Sequence, residues 1–446
     1  MTTRGFQTWW PKKRPSKTKK PLRKLERDGQ ATTQKRPPPP DSGSNPNTKA
    51  RRPKESATNH FEMPHFTSTL ASTVSTDEAQ RHETKQQPPP LAPARWDWHA
   101  EVRRVLVVRL RSIGDTVLAT PSLHALRRFL PHARIDVLLE DWVAPLLEGS
   151  VDVDRIVTIK RESTLARLRV ARELHAARYD VAFNLHGGST ATFLTRATGA
   201  THRVGYRDYR YHFLHTDTAP PAAALWQRAK THSAEQQLAL LGWTGVPVSD
   251  RPPTRLVVTE RAASGVAEKL RRAKFDAAQP FALIHPAAAF ESKTWDVRRF
   301  ARVVDYLRER GLASVAVAAP HETEIVGALE REAGARVVAL ADLELPEVTA
   351  LAQRARLFVG NDSGIAHIAS AVGVASVVVF GSSNVAHWRP WTNAPAEVVR
   401  EEMACAPCAG YTCSEFDAPE CIRRVSVERV TAAIERVLAQ TIDNRR

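Results

Sequence analysis

The chain has no run of about 18 apolar residues, the length needed for a membrane-crossing helix, so no transmembrane segment is expected. It also shows no leader pattern. Trp9, Trp10 and Pro11 are followed by charge, not by an apolar stretch and a small-residue cleavage site, so the expected location is the cytosol. No G-x-G-x-x-G follows the first apolar, β-branched run (102–110). Its turn reads RSIGD instead, which weighs against a nicotinamide oxidoreductase. Cysteine is scarce: four in 446 residues, all between 405 and 421. What is present is ordinary for a folded protein, with 42% hydrophobic and 25% charged residues. The length fits two domains plus extra sequence.

The formal charge of +16 is unevenly placed. Residues 1–100 hold 19 Lys/Arg against 9 Asp/Glu, a net of +10, leaving +6 for the rest. Residues 1–98 are rich in Pro, Lys, Arg, Ser and Thr and lack sustained apolar periodicity. They read as a disordered basic tail that cannot bury enough surface to offset ordering entropy. The tail cluster from Lys12 to Lys20 could touch nucleic acid or anionic lipid, but it reads as a solvated segment, and nucleic acid is not an expected partner. The modest basic excess of the body suits an anionic substrate or membrane surface.

From Val102 onward strand-like and helix-like segments alternate, the pattern of parallel sheets covered by helices on both faces. The strand-like runs VRRVLVVRL, ARIDVLLE, DRIVTIK, YDVAFNLHG and RVGY make a first set. After a linker with Pro247, Pro252 and Pro253 comes a second, including PFALIHP, ASVAVAAP, ARVVAL, RLFVGND and ASVVVFG. The fold class is therefore α/β, two doubly wound units facing a cleft where ligands bind. The expected boundaries are 1–98 for the tail, 99–265 for the N-terminal domain and 266–425 for the C-terminal domain. A helix in 426–446 is expected to pack back on the N-terminal domain.

Three loops carry chemistry. In RLRSIGDTVLATPSLHAL (109–126), Gly114 makes a tight turn and Asp115 starts a helix. There Asp115 is either an N-cap or an ionised carboxylate able to take a proton from an attacking hydroxyl. In IHPAAAFESKTWDVRRF (284–300), small residues admit close backbone approach to a phosphate. Lys293 adds a point charge, or is an ordinary solvent-facing lysine. In VGNDSGIAHIASAVG (359–373), Asn361, Asp362, Ser363 and Gly364 signal a helix start, and His367 lies four residues after Ser363 on the same face. Free amides at that start make an anion site. The cysteines Cys405, Cys408, Cys413 and Cys421, spaced C-x2-C-x4-C-x7-C, point to a joint role. In a cytosolic chain that favours a structural metal, zinc before an iron–sulfur cluster, over disulfides or free thiols.

Taken in order, these segments resemble glycosyltransferase family 9, the ADP-heptose:lipopolysaccharide heptosyltransferases. The likeness runs from about Val102 to about Leu438 and includes NLHGGSTATFLTRATGATHRVGY, AAPHETEI and LFVGNDSGIAHIASAVGVASVVVFGSSNVAHWRPW. The resemblance implies a GT-B fold of two Rossmann-like domains, with the acceptor on the first and an ADP-sugar on the second. It implies inverting transfer without an essential metal or other cofactor. It makes Asp115 the catalytic base. Lys293, Glu322, Asp362, Ser363, Gly364 and His367 become donor-binding, and Ser112, Gly114, Asn184, His186 and Gly187 acceptor-side. It implies a lipid-linked or glycan acceptor and hence a peripheral contact at the inner face of the membrane. A silent nucleotide-sugar-binding protein of the same fold is the alternative. The chain departs from the family at Ala287–Ala288, where a glycine and a hydroxyl or small residue are usual, and at Ala318–Ala319, where two glycines are. Asp152-Val153-Asp154 has the D-x-D form used to hold Mn or Mg, but it precedes a strand and so reads as a loop facing away from the cleft.

Overall fold

The computed structural model describes residues 90–160, 164–276, 278–408 and 412–443. Among the described residues twelve strands form two six-stranded sheets, parallel throughout. The first comprises β1 (Arg104–Val108), β2 (Arg134–Glu140), β3 (Arg155–Ile159), β4 (Val181–Asn184), β5 (His202–Tyr206) and β6 (Asp217–Ala219), in spatial order β3-β2-β1-β4-β5-β6. The second comprises β7 (Phe281–His285), β8 (Ala313–Val317), β9 (Val337–Leu340), β10 (Leu357–Asn361), β11 (Ser376–Phe380) and β12 (Ala396–Arg400), in order β12-β11-β10-β7-β8-β9. Both sheets are wound alike, starting at a central strand, moving outward and then crossing to its other side. The strand order reverses between β1 and β4 and between β7 and β10, so a crevice opens there beyond the carboxyl ends of the strands.

The central strands are apolar on both faces because helices cover both. Val105, Leu106, Val107 and Val108 of β1 and the whole of β10 are buried. β6 and β12 had no counterpart in the sequence reading. They are edge strands, and β6 is only three residues long, too short for a periodic signal.

Three expected boundaries need correction. Of the tail placed at 1–98, residues 1–89 lie outside the described residues, but 90–98 belong to the body. Pro90 bridges to Pro247, Trp96 stacks on His202 at 4.0 Å, and the buried Trp98 donates Nε1–H to Thr244 O at 2.8 Å. Two tryptophans in a proline-rich stretch are too few for a periodicity, yet enough to anchor it. The boundary at 265/266 falls inside the helix Glu260–Arg272. That helix buries Ala262, Val266 and Leu270, packs on the helix Leu345–Arg354 and pairs Lys269 Nζ with Glu347 at 2.8 Å, so it belongs to the second lobe. The closing helix Val427–Asp443 does not return to the first lobe. Its buried stripe Val430, Ala433, Ile434 and Val437 joins the core of the second sheet, against β11 and β12. An amphipathic stripe shows that a helix buries one face, not which sheet receives it. Among the described residues no helix is long and apolar enough to cross a membrane.

Candidate active site

The chemistry-bearing loops follow β1, β4, β7 and β10, the four strands at the two switch points. After β1 the chain turns through Ser112, a non-glycine residue held at φ 74°. Such a conformation is uncommon for a residue with a Cβ. Here it aims the Ser112 hydroxyl at Asp115, donating to Oδ2 at 2.9 Å while Oγ accepts from the Asp115 amide at 3.3 Å. The other carboxylate oxygen, Oδ1, is ion-paired with Arg109. Arg109 is itself buried and also donates to Leu185 O at 3.0 Å and to His186 Nδ1 at 3.3 Å. Asp115 is thus not the N-cap, which is Ser112, but the third residue of the helix Ile113–Val117: both its oxygens are fixed, and its side chain stays partly open at the rim of a cavity of about 300 Å³.

The β4 loop is set by Asn184. This residue was expected on the acceptor side, but it is fully buried and does not line the cavity. Its Oδ1 accepts the amides of His186 (3.1 Å) and Gly187 (2.9 Å), and its Nδ2 donates to Thr192 Oγ1 at 3.1 Å. Gly187, at φ 76°, packs where a Cβ would run into the Tyr209 ring at 2.6 Å. His186 does line the cavity. Burial first, then Arg109 and Arg111, push its pKa down to about 4, so the ring is neutral at pH 7.

In the second lobe Lys293 donates to Asp362 Oδ2 at 2.8 Å, and the Ser383 hydroxyl donates to the same oxygen. Asn361 ties the loops together: Nδ2 donates to Pro286 O at 2.7 Å, and Oδ1 accepts the Trp295 amide at 3.1 Å. Ser363 caps the helix Gly364–Ala371 without a side-chain capping bond, and its hydroxyl is buried without a partner. His367 is likewise buried, with Nδ1 unpartnered, and burial lowers its pKa against the pull of Asp362 and Asp115. Two orphaned polar atoms beside a helix N-terminus, which favours negative charge, mark where an anionic ligand would be satisfied. Glu322 follows β8 and holds its own turn, accepting the Ala319 amide at 3.1 Å.

The two lobes meet at these loops. A Cβ on Gly114 would lie 2.7 Å from His367 Cδ2, and one on Gly364 would lie 2.6 Å from Ile113 Cβ. Glycine is needed at both places because the helices starting at Ile113 and Gly364 abut. Ser112, Gly114, Asp115 and His367 therefore share one junction, with Lys293 and Asp362 close enough to act on His367 electrostatically. Arg109, Ser383, His387 and Trp388 were missed by the sequence reading, as was Gln237, and four of these five line the cavity. A readable signal existed for Arg109 alone, a charge at the end of an otherwise apolar buried strand.

Cys405, Cys408, Cys413 and Cys421 line a separate small pocket beside Ser292 and Ser382, and all four thiols are free. The Cys408 amide donates to Ser382 O at 2.9 Å, so this loop backs the donor-side loops. Among the described residues no three His, Cys, Asp or Glu side chains converge as metal ligands. Asp152 is hydrogen-bonded to His124 and ion-paired with Arg255, and Asp154 is ion-paired with Arg127.

Comparison with known proteins places the chain in a family. The model of glycosyltransferase family 9 (heptosyltransferase) matches residues 167–418, more than half of the chain. Lipopolysaccharide heptosyltransferase 3 of Escherichia coli is 30% identical over 305 residues, covering 64% of this chain and 85% of that protein. The crystal structure of a family 9 glycosyl transferase from Veillonella parvula superposes with a TM-score of 0.68 at 21% identity, covering 78% of this chain and 99% of that one. E. coli ADP-heptose lps heptosyltransferase II does so at 0.63 and 22% identity, covering 76% and 99%. The chain accordingly belongs to glycosyltransferase family 9, and is a glycosyltransferase of the lipopolysaccharide heptosyltransferase kind.

Proposed function

We propose that the chain moves a heptose from ADP-heptose to a lipopolysaccharide-core glycan, with inversion at the anomeric carbon and without a metal ion. The observation that carries this reading is the junction itself: a carboxylate fixed on both oxygens stands opposite a helix N-terminus with orphaned polar atoms and a lysine. ADP-heptose appears in the name of the E. coli enzyme of the same fold.

In this reading Asp115 accepts the proton of an acceptor hydroxyl as its oxygen bonds to the anomeric carbon. Arg109 and Ser112 each occupy one lone pair of the carboxylate and leave another to take the proton. The bond from the anomeric carbon to the diphosphate breaks, and ADP leaves carrying the electron pair. Lys293 has three donors, of which Asp362 uses one, so two remain for phosphate oxygens. With the amides at the start of the Gly364–Ala371 helix and the Ser363 hydroxyl, they stabilise the charge on the leaving group, the task a metal performs elsewhere. His186 and His367 enter as neutral rings at pH 7.

Peripheral contact with the inner membrane face belongs to the same proposal, because the acceptor is lipid-linked. A structural zinc on the four cysteines would need their thiols to close inward. It would lie behind the donor loops and take no part in transfer. Elemental analysis of the purified protein tests it. For the transfer itself, the chain is incubated with ADP-heptose and a heptose-containing core oligosaccharide in EDTA, and the product is read by NMR. Release of ADP with an inverted anomeric centre is expected. A retained anomeric configuration, or turnover only after a divalent ion is restored, would overturn the reading.

A further inference from the structure

The cavity beside Asp115 holds a polar side chain that the transfer chemistry does not use. Gln237, on the helix Ser233–Gly242, is 4% exposed and lines the cavity, yet neither its amide nitrogen nor its amide oxygen has a partner. Because both atoms are orphaned, the conclusion does not depend on which way the amide is turned. A buried amide left wholly unpaired is costly, and binding sites are where such a cost is met by a ligand. The charges around it narrow the ligand. The cavity's charged lining is Arg109, Asp115 and Asp208. Arg109 is spent on Asp115, Leu185 O and His186, so it has no charge left to offer. The imidazoles that line the cavity, His186 and His387, are both pushed toward the neutral form, chiefly by burial. A carboxylate or phosphate entering here would meet a lining with two carboxylates against one cation, Arg109, which is already paired with Asp115, and no other cation lines the cavity. A carboxamide, in contrast, offers one donor face and one acceptor, the complement of two adjacent hydroxyls.

We infer that this cavity takes a neutral polyhydroxylated sugar ring as the acceptor residue, and that Gln237 is the specificity-determining contact for its hydroxyls. The inference rests on the proposed heptosyl transfer and deepens it by naming the acceptor class: a core ending in a neutral heptose or hexose, not in an acidic sugar.

The test uses the full chain with ADP-heptose and two synthetic core acceptors, one ending in a neutral heptose and one in an acidic ulosonic acid. We expect kcat/KM to favour the neutral acceptor by roughly 100-fold or more, the scale set by leaving a buried charge unpaired. Gln237→Met should raise the KM for the neutral acceptor roughly 10-fold or more and leave the KM for ADP-heptose within about 2-fold. It should also hold the melting temperature level or raise it by roughly 2 °C, since it removes an unpaired buried amide; a purely structural glutamine would give a fall. Equal or better use of the acidic acceptor overturns the inference and leaves heptosyl transfer standing, as does a Gln237→Met enzyme with an unchanged acceptor KM. Failure to use ADP-heptose with either acceptor overturns the transfer reading and this inference together. If Gln237→Met does not fold, the acceptor preference of the unaltered chain decides alone.

Discussion

The two lobes share one topology and use it in opposite ways. At the first switch point the loop after β1 isolates a carboxylate: Arg109 and Ser112 hold the oxygens of Asp115, and the cavity beyond contains an unpartnered glutamine. At the second, the loop after β10 masks its carboxylate: Asp362 is bound by Lys293 and Ser383, and what remains open is a helix N-terminus and the Ser363 hydroxyl. In the proposed transfer, one end presents a base to hydroxyls and the other a cradle to phosphates. Sheet order places a site, and the residues at the strand ends decide its chemistry.

The sharpest way to break this contrast is at the two carboxylates. Asp115→Ala should lower kcat by roughly 10²–10⁴-fold while changing ADP affinity less than about 3-fold. If ADP affinity fell with kcat, the division of labour would be wrong. Lys293→Ala should instead weaken ADP binding by roughly 10-fold or more, read by calorimetry, because it removes a charge-assisted contact and leaves Asp362 uncompensated. An unaltered affinity would take Lys293 out of the cradle. Next is the junction: Gly114→Val should impair turnover with either acceptor, since any Cβ there meets the His367 ring. A fully active variant would show that the lobes work further apart.

The smallest effect concerns pH. His186 titrates at about 4 and His232 at about 3 in the folded chain, both chiefly through burial, against about 6.5 unfolded. The unfolded state therefore binds more protons between these values, and stability is lost as pH falls below about 6.5. The melting temperature should drop by on the order of 5 °C between pH 7 and pH 5 and stay nearly flat from pH 7 to 8 as far as these two rings are concerned. A melting temperature that rose on acidification would mean the rings are not buried as described.

The sequence made the second-lobe cradle easier to read than the first-lobe pocket. Asn361, Asp362, Ser363 and Gly364 are consecutive, so a short motif announces the helix start, and Gly373 closes that helix at φ 74°. The first-lobe site is assembled from distant segments: Arg109 at a strand end, Asp115 on a turn, and Gln237 more than a hundred residues later inside a helix. No local pattern distinguishes a helical glutamine that faces a cavity from one that faces water. The same limit explains Asn184, which ends β4 and is turned inward to hold the loop that follows. It also explains the closing helix, whose stripe was evident and whose partner sheet was not.

The central claim, that the second lobe binds an ADP-sugar through lysine and helix amides instead of a metal, is tested most directly by calorimetry of ADP, UDP and GDP with and without EDTA. Selective ADP binding that EDTA leaves unchanged is expected. Equal binding of all three nucleotides, or ADP binding that vanishes with the chelator, would contradict it.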